Sequence, residues 1–282
     1  MTGRVALRLG RVSNLPTIWT NVLAGVVLAG AAVEPGPFAL LVVALSLFYV
    51  GGMYLNDAFD RAVDARERRE RPIPSGEVSA TTVFAAGFAF LAAGELLLAV
   101  FDRAAVVSGL ALAATIIWYD VRHKKDPLSP VVMGLCRVLV YVTAAVAVSP
   151  ELPRPVVVGA GVLLAYLIGL TYVAKQENLT EVANLWPLAC LAVPFAYAAP
   201  GALANPVAGA IGLGFLAWVI HSLARLAPSA GPDIGGAVVR LIAGISLLDA
   251  LLIAARGRPA LALVAVAAVP LTRLLQRHVP GT

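Results

Sequence analysis

A chain of 282 residues that is 60% hydrophobic and only 13% charged cannot cover a water-facing surface, since a soluble domain carries about 25% charged residues. The net charge of +5 is too modest to point to a nucleic-acid partner, so the placement of the charges carries the information. Two cysteines, Cys136 and Cys190, each inside an apolar run, exclude a disulfide framework and read as packing residues.

The basic N-terminus, residues 1–16, leads into an apolar run long enough to span a membrane, so the run reads as a retained transmembrane helix rather than a cleavable signal. A spanning helix needs about 20 mostly apolar residues. Ten runs qualify: 15–33, 38–56, 79–101, 104–120, 129–148, 155–174, 184–200, 205–226, 234–255 and 259–276. Pro35-Gly36-Pro37, Pro150, Pro200-Gly201 and Gly257 mark junctions between them. Runs seven and ten are among the shortest, and an interfacial or re-entrant path for one of them leaves nine spans. With the N-terminus in the cytoplasm, fifteen Lys and Arg fall on that side and four on the other, which sets the orientation by the positive-inside rule. Polar segments 57–78, 120–128 and 175–184 then share the cytoplasmic face.

The second run continues into Asn56-Asp57-Ala58-Phe59-Asp60-Arg61-Ala62-Val63-Asp64. At 100° per residue the three aspartates fall within about 60° of one another. No cation sits on that stripe, so a multivalent cation is expected to hold three carboxylates together at the membrane boundary. Oxygen ligands on one helical face suit Mg²⁺, which takes one or two carboxylates, waters and substrate phosphate oxygens. Asn56 can add a neutral oxygen or a phosphate hydrogen bond. Next come Arg69 and Arg71, whose guanidinium forks suit phosphate, and a Pro72-to-Gly76 turn that folds the segment back. A solvated helix end with arginine anchors explains the arginines well. It explains three acids in register with a spanning helix poorly, because acids near spans are rare and usually functional.

The stretch from Asn56 to Gly76 resembles the first aspartate-rich motif of the UbiA superfamily of intramembrane prenyltransferases, N-D-x-x-D-x-x-x-D followed by arginines and P-x-P-x-G. Asn56, Asp57, Asp60, Asp64, Arg69, Arg71, Pro72, Pro74 and Gly76 all match. The number and spacing of runs fit as well, so the resemblance covers most of the chain apart from the last run. It implies an all-α polytopic bundle of nine helices around a central cavity, ten here if every run spans, forming one domain over 1–282. It also implies a polyprenyl diphosphate donor, two Mg²⁺ ions and an acceptor, aromatic or lipid.

Two further elements follow from the resemblance. A tyrosine followed by a basic residue should close the fourth run, and Tyr119 with Lys124 fits. Arg122 and Lys125 read equally as anchors, while Asp120 and Lys124, four apart, are spaced to pair. A second acidic pair should follow the sixth run. Here Glu177 and Glu181 keep the i, i+4 spacing in place of aspartates, with Lys175 and Asn178 beside them; each side chain is one methylene longer, so the metal would sit differently. Glu181 reads equally as a helix-end acid. In this scheme Asp57, Asp60, Asp64, Glu177 and Glu181 hold metal. Lys124, Lys175 and Arg69 or Arg71 stabilise the departing diphosphate. Asn56, Tyr119, Asn178, Asn21 and Arg137 contact substrate.

Polar residues inside the spans are the remaining pointers. Arg137 sits one turn before Tyr141 and suits a diphosphate, an acceptor carboxylate or a structural pair with an acid on a neighbouring helix. Arg240 and Asp249, nine apart, lie on roughly opposite helix faces and do not pair. His221 and Asp249 suit interhelical hydrogen bonds.

The expected activity is Mg²⁺-dependent ionisation of a prenyl diphosphate and transfer of the prenyl group to an acceptor. Burial of a fifteen-carbon tail, at ~0.8 kcal/mol per carbon, contributes of order 10 kcal/mol and favours a site inside the bilayer. A terpene cyclase using the same machinery is the alternative. A transporter ranks lower, since transporter sites lie near the midplane of repeated halves and no internal repeat is visible. The expected location is a bacterial cell membrane, on the grounds of an Ala-, Arg- and Val-rich composition, with the N-terminus and site in the cytoplasm.

Overall fold

The computed structural model describes residues 1–124, 126–175, 186–226 and 232–281, and among them every regular element is helical. Helices α1 (Gly3–Leu9), α2 (Leu15–Leu28), α3 (Pro35–Glu67), α4 (Ala80–Leu98), α5 (Arg103–Arg122) and α6 (Ser129–Val146) are followed by α7 (Arg154–Lys175), α8 (Val193–Ala204), α9 (Pro206–Leu223), α10 (Ile234–Ala255) and α11 (Pro259–Gln276). Each of the ten apolar runs overlaps one of α2 to α11, and α1 is an addition ahead of them; run seven is 3-10 helix over Trp186–Ala192, and α8 starts only at Val193 and passes the end of the run.

Sequence chemistry sets the ends. Proline occupies the first turn of α2, α3, α6, α8, α9 and α11, where its missing N–H has no intrahelical partner to lose. Ser79, Asp102, Asn205 and Asp233 cap α4, α5, α9 and α10 by accepting from the backbone N–H groups of Thr82, Ala105, Val207 and Gly236. Three expectations shift. The first run stops at Leu28 because Gly30, at φ 79, turns the chain out of the helix. Pro200 does not end a helix but lies inside α8, which breaks at Asn205-Pro206 instead. Run ten forms a full-length helix, and among the described residues the two shorter apolar helices are Val12–Leu28 and Ala189–Gly201, beside eight that are long and apolar enough to cross a bilayer.

The exterior is that of a membrane protein: large apolar side chains stand exposed along the spanning-length helices, Leu96 and Leu213 at 73% and 71% among them. The interior is organised around α10, buried along nearly its whole length, which packs on α2, α7, α9 and α11. Helices α3 and α4 form the other main contact, with glycine at the crossing points. A Cβ on Gly51 would lie 2.9 Å from the Gly87 carbonyl oxygen, and one on Gly94 2.9 Å from that of Ala44. Small residues permit this close approach between spanning helices.

Helix α3 positions the site. Its 33 residues extend roughly 50 Å at 1.5 Å per residue, against a hydrocarbon thickness of about 30 Å. The excess is the C-terminal segment carrying Asn56, Asp57, Asp60 and Asp64, so the acidic stripe is held on a rigid helix at the end of the bundle.

Candidate active site at the acidic end of the bundle

Asp57, Asp60 and Asp64 are buried on one side of α3, at 6%, 6% and 3% exposure, as the spacing predicts. The stripe itself carries no cation, but the expectation that only a multivalent cation can hold the three carboxylates together does not hold, because cations on other segments fold over them. Arg71 donates from one guanidinium nitrogen to both Asp57 (3.1 Å) and Asp64 (3.0 Å). Arg11 reaches Asp57 at 3.0 Å. Asp60 faces His123 Nε2 at 3.3 Å and Lys124 Nζ at 3.4 Å. Burial is the largest influence on Arg11 and lowers its pKa, but Asp57, Tyr49, Tyr119 and Asp120 together more than offset it, so the net shift is upward and the guanidinium stays charged.

Local structure explains each placement. Arg71 lies in the turn after α3, and that turn is tied to α1 by Arg8, which donates to the Glu77 carboxylate and the Glu70 carbonyl, both at 3.0 Å. Tyr54 on α3 donates to the Ala6 carbonyl at 3.1 Å, fixing α1 against the same helix. Arg11 then follows α1 with φ 41 and ψ 45, the sole non-glycine positive φ among the described residues. Such a conformation persists only where the surroundings over-determine it, and here it delivers the guanidinium to Asp57. His123 and Lys124 lie just past the end of α5, so helical i, i+4 geometry does not extend to Lys124. It turns to Asp60 instead of pairing with Asp120.

Asp120, 4% exposed, accepts at 3.1 Å from the Asn56 side-chain amide, whose oxygen faces Arg11 at 3.4 Å. Tyr119 stacks on His123 with ring centroids 4.8 Å apart and points its hydroxyl at the Met133 sulfur, as does Thr171 from α7. That shared contact brings the end of α7 to the same end of the bundle. Lys175 closes α7; Glu177, Asn178 and Glu181 lie outside the described residues. Of the two expected arginines, Arg71 enters the site, while Arg69 is exposed and bonds the Ala65 carbonyl at 3.3 Å. A cleft of about 350 Å³ opens over this centre, lined by Arg8, Arg11, Asp57, Arg68, Arg71 and Pro280 among others.

Deeper on the same side of α3, Tyr49 joins a second polar group. Arg137 lies over the Tyr49 ring at 5.5 Å and donates to Thr17 (3.1 Å) and Asn21 (2.8 Å). The Asn21 amide donates in turn to both Asp249 oxygens, at 3.1 and 2.9 Å, and the Tyr141 hydroxyl donates to Asp249. Asn21, Tyr141 and Asp249 are fully buried. One amide thus bridges a guanidinium on α6 to a carboxylate on α10, which pairs Arg137 indirectly with an acid on a neighbouring helix. Arg240 has no part in this network: its carbonyl accepts from Trp218.

A divalent cation suits this donor set. The acidic end offers carboxylate and amide oxygens, with the His123 imidazole turned to Asp60, and Asp120 Oδ2 is buried without a hydrogen-bond partner, an atom that a cation would satisfy. Among the described residues no three acidic or histidine side chains already converge on a common point, because the cationic side chains hold the aspartates. The sequence singled out Asp57, Asp60, Asp64, Asn56, Arg71, Tyr119 and Lys124, all of which meet here. It missed Arg11, which nothing distinguished from Arg4 and Arg8, and it placed Asp120 with the wrong partner.

A sequence model of the UbiA prenyltransferase family matches residues 18–234. The chain belongs to that family. Over 125 residues it is 33% identical to the digeranylgeranylglyceryl phosphate synthase of Methanopyrus kandleri, covering 44% of this chain and 46% of that one; the chain spans about half the length of the curated relatives it matches. The UbiA fold is shared throughout: a UbiA homologue from Archaeoglobus fulgidus superposes with TM-score 0.62 at 16% identity, over 94% of this chain and 99% of that one. The same homologue bound to GPP and Mg²⁺ gives TM-score 0.54 at 14% identity, over 96% and 99%. These relatives are archaeal, so they lend no support to a bacterial origin read from composition.

Proposed function

We propose that this UbiA-family protein ionises a polyprenyl diphosphate with Mg²⁺ and transfers the prenyl group to a second molecule. The supporting observation is the buried carboxylate stripe of Asp57, Asp60 and Asp64 ringed by Arg11, Arg71, His123 and Lys124. Carboxylates and cations packed at one point suit a metal–diphosphate pair, since each then exchanges an internal partner for a substrate one. Asp57, Asp60 and Asp64 would hold Mg²⁺, with Glu177 and Glu181 as the second acidic pair. When bound, Mg²⁺ neutralises charge on the leaving group. Arg71, Arg11 and Lys124 turn to the diphosphate oxygens and stabilise the charge that develops as the C–O bond breaks, with Lys175 and Asn178 assigned to the same task. Asn56 and Tyr119 line the approach to C1, and the apolar helices exclude water from the cation. Arg137, held by Asn21, lies about two helical turns deeper along α3, near Tyr49, where it faces the substrate rather than the metal. Relatives named digeranylgeranylglyceryl phosphate synthase make a glyceryl-phosphate lipid the first acceptor to try, ahead of an aromatic ring.

The test is diphosphate release by purified protein in detergent from geranyl, farnesyl and geranylgeranyl diphosphates, with Mg²⁺, with EDTA, and with Asp57→Ala plus Asp60→Ala. Magnesium-dependent release that disappears in the double variant supports the reading, and no release with any donor or acceptor overturns it. Cyclised hydrocarbon formed without acceptor would replace transfer by cyclisation. The acidic end is assigned to the cytoplasm. Ser75→Cys, in a Cys136→Ala/Cys190→Ala background, should react with an impermeant maleimide in inside-out vesicles only.

A further inference from the structure

Asp120 sits in the last turn of α5 with one oxygen explained and one not. Its Oδ1 accepts from Asn56, while Oδ2 is buried with no partner. The charges that act on it are Asp60, Arg11 and Asp57: two are carboxylates, and the guanidinium is already bonded to Asp57. A buried carboxylate beside two others, without a cation of its own, is strongly disfavoured. The arrangement is therefore built for a positive charge that the protein does not supply.

We propose that Asp120 is a fourth carboxylate of the divalent-cation centre, contributed by α5. Its Oδ2 is a metal ligand. Its Oδ1 fixes the Asn56 amide with the nitrogen toward α5, so that the Asn56 oxygen, now facing Arg11, points to the cationic side. Asp120 lies outside the aspartate-rich stripe of α3, and it joins that stripe only because α3 and α5 pack together at this end. The donor set becomes all-oxygen and drawn from two helices, a set that selects Mg²⁺ or Mn²⁺ over softer ions. The inference rests on the metal–diphosphate reading above.

The experiment is a titration of the full chain in detergent with Mn²⁺, following free Mn²⁺ by electron paramagnetic resonance, with inorganic diphosphate present. Wild type, Asp120→Asn and Asp57→Asn are compared, and melting temperature is measured with and without Mn²⁺. Asp120→Asn keeps an acceptor for Asn56 and removes only the orphan charge. It should bind Mn²⁺ about tenfold more weakly, melt no lower than wild type without metal, and gain less from adding it. Unchanged Mn²⁺ affinity overturns the assignment, as does a metal-free variant that melts lower or fails to fold, because Asp120 is then structural. Absence of Mn²⁺ binding in wild type overturns the metal reading as a whole, and the two failures are distinguished by whether Asp57→Asn changes anything.

Discussion

Arg11 and Asp57, 46 residues apart in sequence, meet at 3.0 Å, with Arg11 in a left-handed backbone conformation. Asp57 also holds Arg71, so a metal ion arriving alone must displace two guanidinium groups, leaving Arg71 only Asp64 and Arg11 only neutral Asn56 and Met53. A metal arriving with diphosphate offers those groups phosphate oxygens. Calorimetry should therefore show weak binding of Mg²⁺ alone, weak binding of inorganic diphosphate alone, and at least about tenfold tighter binding of each in the presence of the other. Arg11→Gln should strengthen binding of Mg²⁺ alone while weakening that of diphosphate. Equal Mg²⁺ affinity with and without diphosphate would contradict this exchange of partners.

Arg69 and Arg71 are two residues apart and equally plausible from sequence, yet one enters the site and the other bonds its own helix end. Arg71→Ala should lower the rate of diphosphate release by about 100-fold or more. Arg69→Ala should lower it less than about threefold, the range expected for a screened surface charge. Steady-state rates at saturating Mg²⁺ decide between them, and equal losses would mean that Arg69 swings inward when substrate binds.

The bridge from Arg137 through Asn21 to Asp249 is a stability element as well as a positioning one. Asp249→Ala leaves a guanidinium without its counter-charge and should destabilise the protein by about 3–5 kcal/mol. Tyr141→Phe removes one hydrogen bond and should cost about 1–2 kcal/mol. Asp249→Leu combined with Arg137→Met should recover most of the loss while leaving activity low. Additive losses in unfolding from detergent would show that the groups are not coupled.

The α3–α4 contact tolerates no added atom at Gly94, where a Cβ would stand 2.8 Å from Phe48 and 2.9 Å from the Ala44 carbonyl. Gly94→Ala should destabilise by about 1–3 kcal/mol through overpacking. Gly161 on α7 meets nothing within 4 Å, and Gly161→Ala should be stabilising by roughly 0.5–1 kcal/mol, from helix propensity alone. Thermal unfolding of the two variants side by side checks both signs.

Fold and site were legible to different depths. The ten apolar runs located α2 to α11 because spanning helices declare themselves by length and hydropathy, and the errors came from single residues: Gly30 ended α2 early, and Pro200 was accommodated inside α8. The aspartate stripe was legible because its spacing is a property of one helix. Its neutralisation was not, because Arg11, Arg71, His123 and Lys124 arrive from turns whose paths depend on tertiary packing. Asp120 shows the limit most clearly. Local spacing assigned it to Lys124, but the helix ends before Lys124, and Asn56 lies 64 residues away. The Asn21 bridge was invisible for the same reason, as its partners sit on α6 and α10.

Helix α2 is synthesised early and completed late. Asn21 waits for Asp249, 228 residues on, Thr20 for Ser246, and Asn14 for the Gly281 carbonyl. Thr20 can meanwhile bond the Thr17 carbonyl and Asn14 the Tyr49 hydroxyl, but until α10 emerges the Asn21 amide N–H groups would face hydrocarbon without their acceptor, where unpaired polar groups are costly. Membrane insertion of this chain cannot then proceed strictly helix by helix into lipid: α2 has to be sheltered beside water or the insertion machinery while most of the sequence is translated.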